Sequence, residues 1–121
     1  MTPEKLAKIL SLIKPTDKAE DLKGCDLVIE AVFENRAVKA AVTKEAEAVL
    51  GKDAIFASNT SALPITELAE ASARPANFIG MHFFSPAEKM PLVEIICGKE
   101  TSQEALAKTF DLAQALGKTP I

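Results

Sequence analysis

The chain holds a single histidine, His82, and a carboxylate, Glu94, sits inside the apolar run Leu92–Cys97, where an unpaired charge would be costly. Residues 78–84 and Leu92–Cys97 both read as strands, joined by a loop containing Pro86, Glu88, Lys89 and Pro91. Paired as an antiparallel hairpin, they turn about residue 88, the midpoint of 82 and 94, which places the two side chains opposite each other on one face. A carboxylate in that place fixes the tautomer of an imidazole and makes it a better general base. Ser61 closes the polar run Ser58-Asn59-Thr60-Ser61, which follows the buried-strand signal Ala54-Ile55-Phe56-Ala57. Open α/β sheets place ligand contacts at such strand ends, so the Ser61 hydroxyl could bind the group being deprotonated. Taken singly, each residue has a bland explanation: a structural histidine, a glutamate on a solvated strand face, a polar strand end that caps the next helix. Taken together, the residues support catalysis and structure equally.

The elements that must position these groups follow in order. Thr2-Pro3-Glu4 opens a helix with a capping hydroxyl, a first-turn proline and an early acid, and Leu6, Ile9 and Leu10 give it an apolar stripe ending near Leu12. Ile13-Lys14-Pro15-Thr16 reads as a short strand, and residues 18–24 as one helical turn closed by glycine. Residues 26–33 give the strongest strand signal, a near-continuous apolar run suited to a parallel strand covered on both faces. A helix follows from Glu34-Asn35, with Val38, Ala41, Val42, Ala46, Val49 and Leu50 spaced for one buried face, and Gly51 ends it. Residues 26–58 thus form a β-α-β unit. Glu34 stands where a dinucleotide crosses such sheets, and Lys39, one helical turn on, could meet a phosphate or ribose hydroxyl; the plain alternative is two solvated charges at a helix start. Pro64 starts a short helix. A last helix carries a capping box, Thr101 with Glu104, and an apolar face of Leu106, Phe110, Ala113 and Leu116.

The composition narrows the classes. With 121 residues there is room for one domain, and 48% hydrophobic residues supply a core. A mixed surface with net charge −3 argues against a nucleic-acid or lipid-surface binder. No apolar run approaches the roughly 20 residues of a membrane span, and the N-terminus has no signal-peptide pattern. Cys25 and Cys97 have neither metal-type nor redox-type spacing and fit a structural role in a reduced compartment.

Three motifs, Phe56-Ala57-Ser58-Asn59-Thr60-Ser61-Ala62-Leu63-Pro64-Ile65, Gly80-Met81-His82-Phe83-Phe84-Ser85-Pro86 and Lys89-Met90-Pro91-Leu92-Val93-Glu94-Ile95-Ile96, resemble the 3-hydroxyacyl-CoA dehydrogenase family, and the likeness runs over about residues 10–121. Ser85 and the loop Glu88-Lys89-Met90-Pro91 are most similar to the multifunctional members, the α subunits of fatty-acid oxidation complexes. The resemblance implies an α/β fold, the C-terminal half of a Rossmann-like NAD-binding domain, with parallel strands, an antiparallel hairpin and helices packed on the sheet. It implies oxidation of (3S)-3-hydroxyacyl-CoA to 3-oxoacyl-CoA with NAD in fatty-acid β-oxidation. His82 would take the hydroxyl proton, Glu94 would orient it, and Ser61 would hold the substrate oxygen. Val32, Phe33, Glu34, Lys39, Ser61 and Ser85 would contact NAD; Ser85 stands where many single-function members carry Asn, which makes its expected contact shorter. An acyl-CoA substrate, a thiolase subunit as partner of a full-length protein, and a cytoplasmic location for a bacterial source (mitochondrial or peroxisomal for a eukaryotic one) follow from the same likeness.

No Gly-x-Gly-x-x-Gly turn is present to hold a pyrophosphate. We therefore expect residues 1–16 to be the end of a helical insertion with a short strand, and residues 26–121 the second half of the sheet. Such a piece alone would be nearly inactive, and its open strand edge would favour a homo-oligomer or a strand-exchanged assembly. Two rivals stand beside this reading: an NAD-dependent dehydrogenase of a free hydroxy acid, and a non-catalytic structural or assembly domain of the same fold.

Overall fold

Five strands, β1 (Leu27–Glu30), β2 (Ile55–Ser58), β3 (Phe78–Phe83), β4 (Leu92–Cys97) and β5 (Thr119–Pro120), make one sheet in chain order in the computed structural model, which describes residues 1–121. β1, β2 and β3 run parallel, β4 is antiparallel to β3, and β5 is parallel to β4. Helix α1 (Pro3–Ser11) precedes the sheet; α2 (Arg36–Glu47) and the single-turn α3 (Ile65–Leu68) lie on one face, and α4 (Gln103–Ala115) lies on the other.

Strand alternation divides the core between the faces. Phe56 and Phe78 point to the α2 and α3 side, stack with ring centroids 5.4 Å apart, and join Ala46, Leu50, Ile65 and Leu68. Ile55, Ala57, Ile79, Met81 and Val93 point the other way, against Ala105 and Ala113 of α4. This is the three-layer α/β architecture that the sequence predicts.

Both long helices bury part of the predicted stripe, Ala46, Leu50 and Ala113 fully and Val42, Val49 and Leu106 by half, but the inward face is shifted from the one the large apolar residues mark. In α2 the buried positions are Lys39, Thr43, Ala46 and Glu47, while Val38 and Ala41 are exposed. In α4 they are Ala105, Thr109 and Ala113, while Phe110 and Leu116 are exposed. Small residues on the seam let a helix sit close to the sheet. The two threonines are tolerated there because each hydroxyl donates to the carbonyl four residues back, Thr43 to Lys39 at 2.7 Å and Thr109 to Ala105 at 2.8 Å.

Other local expectations need correction. Residues 13–16 join no sheet, since Pro15 lacks an N–H and no strand edge lies alongside. α1 buries none of its residues, so the Leu6, Ile9 and Leu10 stripe faces outward. β1 is shorter than its apolar run and is covered on both faces only at its start, where Leu27 packs towards the α4 side and Val28 towards the α2 side; Ile29, and Val32 and Phe33 beyond the strand, are exposed. The cap of α4 is Ser102, which accepts from Ala105 N at 3.0 Å, not Thr101. Thr101 instead accepts from Gly98 N and donates to Phe78 O, fastening the turn to β3.

At the end of α4, Gly117 has φ +76°, and Gly117 N and Lys118 N bond back to Gln114 O and Ala113 O, a glycine-dependent helix stop. The Lys118 ammonium then donates to Ala87 O and, at 2.7 Å, to Met90 O, which pins the loop between β3 and β4.

Candidate active site

The register of β3 and β4 sets His82 directly opposite Glu94, as their spacing predicts. Nδ1 of His82 lies 3.3 Å from Glu94 Oε1. With the carboxylate as acceptor, Nδ1 carries the proton and Nε2 keeps its lone pair, a tautomer assigned from the partner. The edge of Phe84 packs on the imidazole with centroids 4.8 Å apart and planes at 65°, so the ring is held from two sides. The His82 side chain is 17% exposed, enough to reach solvent or a ligand from one side.

The neighbouring row of the sheet explains how that pair is placed. Glu30, Ser58, Gly80 and Ile96 stand side by side across β1 to β4, on the face that carries His82 and Glu94 one step further along. Gly80 is needed in this row: a Cβ there would lie 2.8 Å from Ile65 Cδ1 and 2.9 Å from Ile96 Cβ. Asn59, just past β2, accepts from Phe83 N through Oδ1 at 2.8 Å and so couples the end of β2 to the end of β3.

A second group forms where β1 and β2 end. Glu34 Oε1 accepts from Thr60 Oγ1 at 2.7 Å, and Oε2 accepts from Ser61 N at 2.9 Å and Ser61 Oγ at 3.1 Å. Desolvation pushes the Glu34 carboxyl up, but those bonds together with the Lys39 charge outweigh it and hold the group down at about 2. Lys39 is not a solvated charge. Its side chain is 3% exposed, with Nζ 2.7 Å from Glu30 Oε1 and 3.4 Å from Glu34 Oε1. Glu30 also accepts from Ser58 Oγ at 2.7 Å and Val32 N at 2.9 Å.

Thus His82 and Glu94 form one cluster, Ser61, Glu34 and Lys39 another, and the Asn59 side chain ties the strand ends that carry them. Val32 and Phe33 are exposed beyond β1, Phe33 at 85%, and Ser85 is exposed at the start of the β3–β4 loop. Glu30, Asn59 and Thr60 were not singled out by sequence. Glu30 could have been: it is the one charge inside an apolar parallel strand, the same signal that drew attention to Glu94.

The residues at the strand ends suit a dinucleotide. Val32 and Phe33 lie past the last paired residue of β1, and the ionised Glu34 keeps lone pairs beyond those its three donors use. Parallel strands ending side by side are where such ligands bind in open sheets.

Comparison with known proteins agrees. The family model described as 3-hydroxyacyl-CoA dehydrogenase, NAD binding domain, matches residues 1–121. The chain is 54% identical over its whole length to a fatty acid oxidation complex subunit alpha of Psychrobacter arcticus, and spans 17% of that protein. It superposes with TM-score 0.96 and 43% identity on the crystal structure of an (S)-3-hydroxybutyryl-CoA dehydrogenase from Ralstonia eutropha, covering all of this chain and 43% of that one. A 5-formyl-3-hydroxy-2-methylpyridine 4-carboxylic acid 5-dehydrogenase, described as an NAD+-dependent dismutase, is 38% identical with TM-score 0.85 over 88% of this chain and 35% of that one. A sheet whose parallel strand ends are built to receive a dinucleotide, with an imidazole–carboxylate pair beside them, and a family match across every residue lead to one statement: the chain belongs to the 3-hydroxyacyl-CoA dehydrogenase family, as its NAD-binding domain.

Proposed function

We propose that the intact protein oxidises a (3S)-3-hydroxyacyl-CoA to the 3-oxoacyl-CoA, and that this chain supplies the proton acceptor and part of the dinucleotide site. The observation that carries the reading is the His82–Glu94 contact across β3 and β4. His82 Nε2 removes the proton of the substrate hydroxyl while the C3–H bond breaks and the carbonyl forms. Glu94, at Nδ1, orients the ring and balances the charge of the imidazolium. NAD held at these strand ends would supply the hydride acceptor. Ser61 holds the substrate oxygen; Val32, Phe33, Glu34, Ser61 and Ser85 line the dinucleotide side, and Lys39 supports Glu34 from beneath.

The thioester substrate rests on the names of the relatives, and the P. arcticus protein's name extends the reading to a complex, for which a thiolase subunit is the partner we propose. We propose a cytoplasmic location, a reading the bacterial relatives support; no helix is long and apolar enough to cross a membrane. The pyridine-carboxylate dehydrogenase favours a second reading, a free acid as substrate on the same scaffold.

One experiment separates them. His82→Gln in the intact protein lowers kcat on the CoA thioester by about 10²–10⁴-fold, and Glu94→Gln added to it costs little more, because the two act as a unit. An unchanged rate removes His82 from the role. Turnover of the free hydroxy acid but not its thioester gives the second reading.

A further inference from the structure

We propose that Glu30 is a positioning residue for the dinucleotide site, acting through Lys39 and Glu34 on Ser61 and on the backbone of Val32. The inference rests on the reading above and deepens it. A carboxylate with a side chain only 1% exposed is expensive to bury, and this one lies in a strand where an aliphatic side chain would be expected. Its contacts are directional. Oε1 takes the Lys39 ammonium at 2.7 Å and Val32 N at 2.9 Å, and Oε2 takes the Ser58 hydroxyl at 2.7 Å. Val32 N lies just beyond the paired part of β1, so Glu30 fixes the backbone there after the sheet has ceased to.

The Lys39 ammonium, held by Glu30, also lies 3.4 Å from Glu34 Oε1 and 3.5 Å from Val32 O. Glu34 in turn orients Ser61 through both its N–H and its hydroxyl. A continuous run of charged and hydroxyl groups, Ser58–Glu30–Lys39–Glu34–Ser61, therefore links the ends of β1 and β2 to the first turn of α2. Lys39 without Glu30 would be a buried cation with one partly exposed carboxylate to serve, and it would draw Glu34 inward, away from Ser61. The alternative, a purely structural ion pair, predicts lost stability and no change in how the folded protein binds its cofactor.

NADH titration by fluorescence on the intact protein, with thermal melting alongside, distinguishes the two. Glu30→Gln keeps the shape and removes the charge. The expected result is a Kd for NADH raised at least tenfold, and a Glu30→Gln/Lys39→Met pair that binds no worse than the weaker single variant. A Kd within twofold of the parent overturns the proposal, whatever the melting temperature, and so do additive effects. Should Glu30→Gln fail to fold, Ser58→Ala, which removes one donor to Glu30 and adds no bulk, gives the same reading: a Kd raised several-fold supports the proposal and an unchanged Kd overturns it. A parent protein that does not bind NADH at all speaks against the proposed function itself.

Discussion

Glu34 keeps its charge although it stands beside a nearly buried network, because three hydrogen bonds and an ammonium favour the carboxylate more than desolvation opposes it. Its folded pKa, about 2, lies below the ordinary 4.5. The charged form therefore stabilises the fold above about pH 4.5, and that contribution fades as the pH falls towards about 2. Urea unfolding across this window should show a shallower loss of stability for Glu34→Gln than for the parent; parallel curves would remove Glu34 from the effect. At the same scale, the His82–Glu94 pair was legible from spacing alone, since an antiparallel register about one loop allows one partner for each residue. The setting of Lys39 was not. A lysine at a helix start reads as solvated until the sheet supplies Glu30, nine positions back in the chain, as its partner.

At the scale of elements, the site depends on β3, β4 and α3 approaching closely. Gly80 makes the approach possible, because Ile65 and Ile96 already occupy the space a methyl group would need. Gly80→Ala should destabilise the fold by about 1–3 kcal/mol, the usual cost of overpacking, as measured by urea unfolding, and Ile65→Val in the same chain should recover part of it. A neutral Gly80→Ala would show that the contact relaxes freely. The order of strands and helices could be read from periodicity. The inward faces of α2 and α4 could be read only in part, at Ala46 and Ala113, because periodicity ranks residues by hydrophobicity, whereas here close packing and the Glu30 partner also choose threonine, alanine and lysine for the seam.

For the whole molecule, β1 pairs with β2 alone, and Ile29, Val32 and Phe33 are exposed beside its free edge. An apolar edge of this kind favours pairing with a second copy. Light scattering on the 121-residue chain at micromolar concentration should give a mass above that of one chain, and Ile29→Lys should return it to a monomer. A monomeric parent would count against this self-association. By itself the sequence determined which residues lie opposite each other in the β3–β4 hairpin, the α/β class and the motifs that mark the family, because turn position, side-chain period and residue order are local properties. Only the tertiary structure decided that a buried carboxylate on β1 holds Lys39 and, through it, Glu34. That arrangement arises from parallel strands and a crossover helix meeting at one end of the sheet, where groups distant in the chain first find each other.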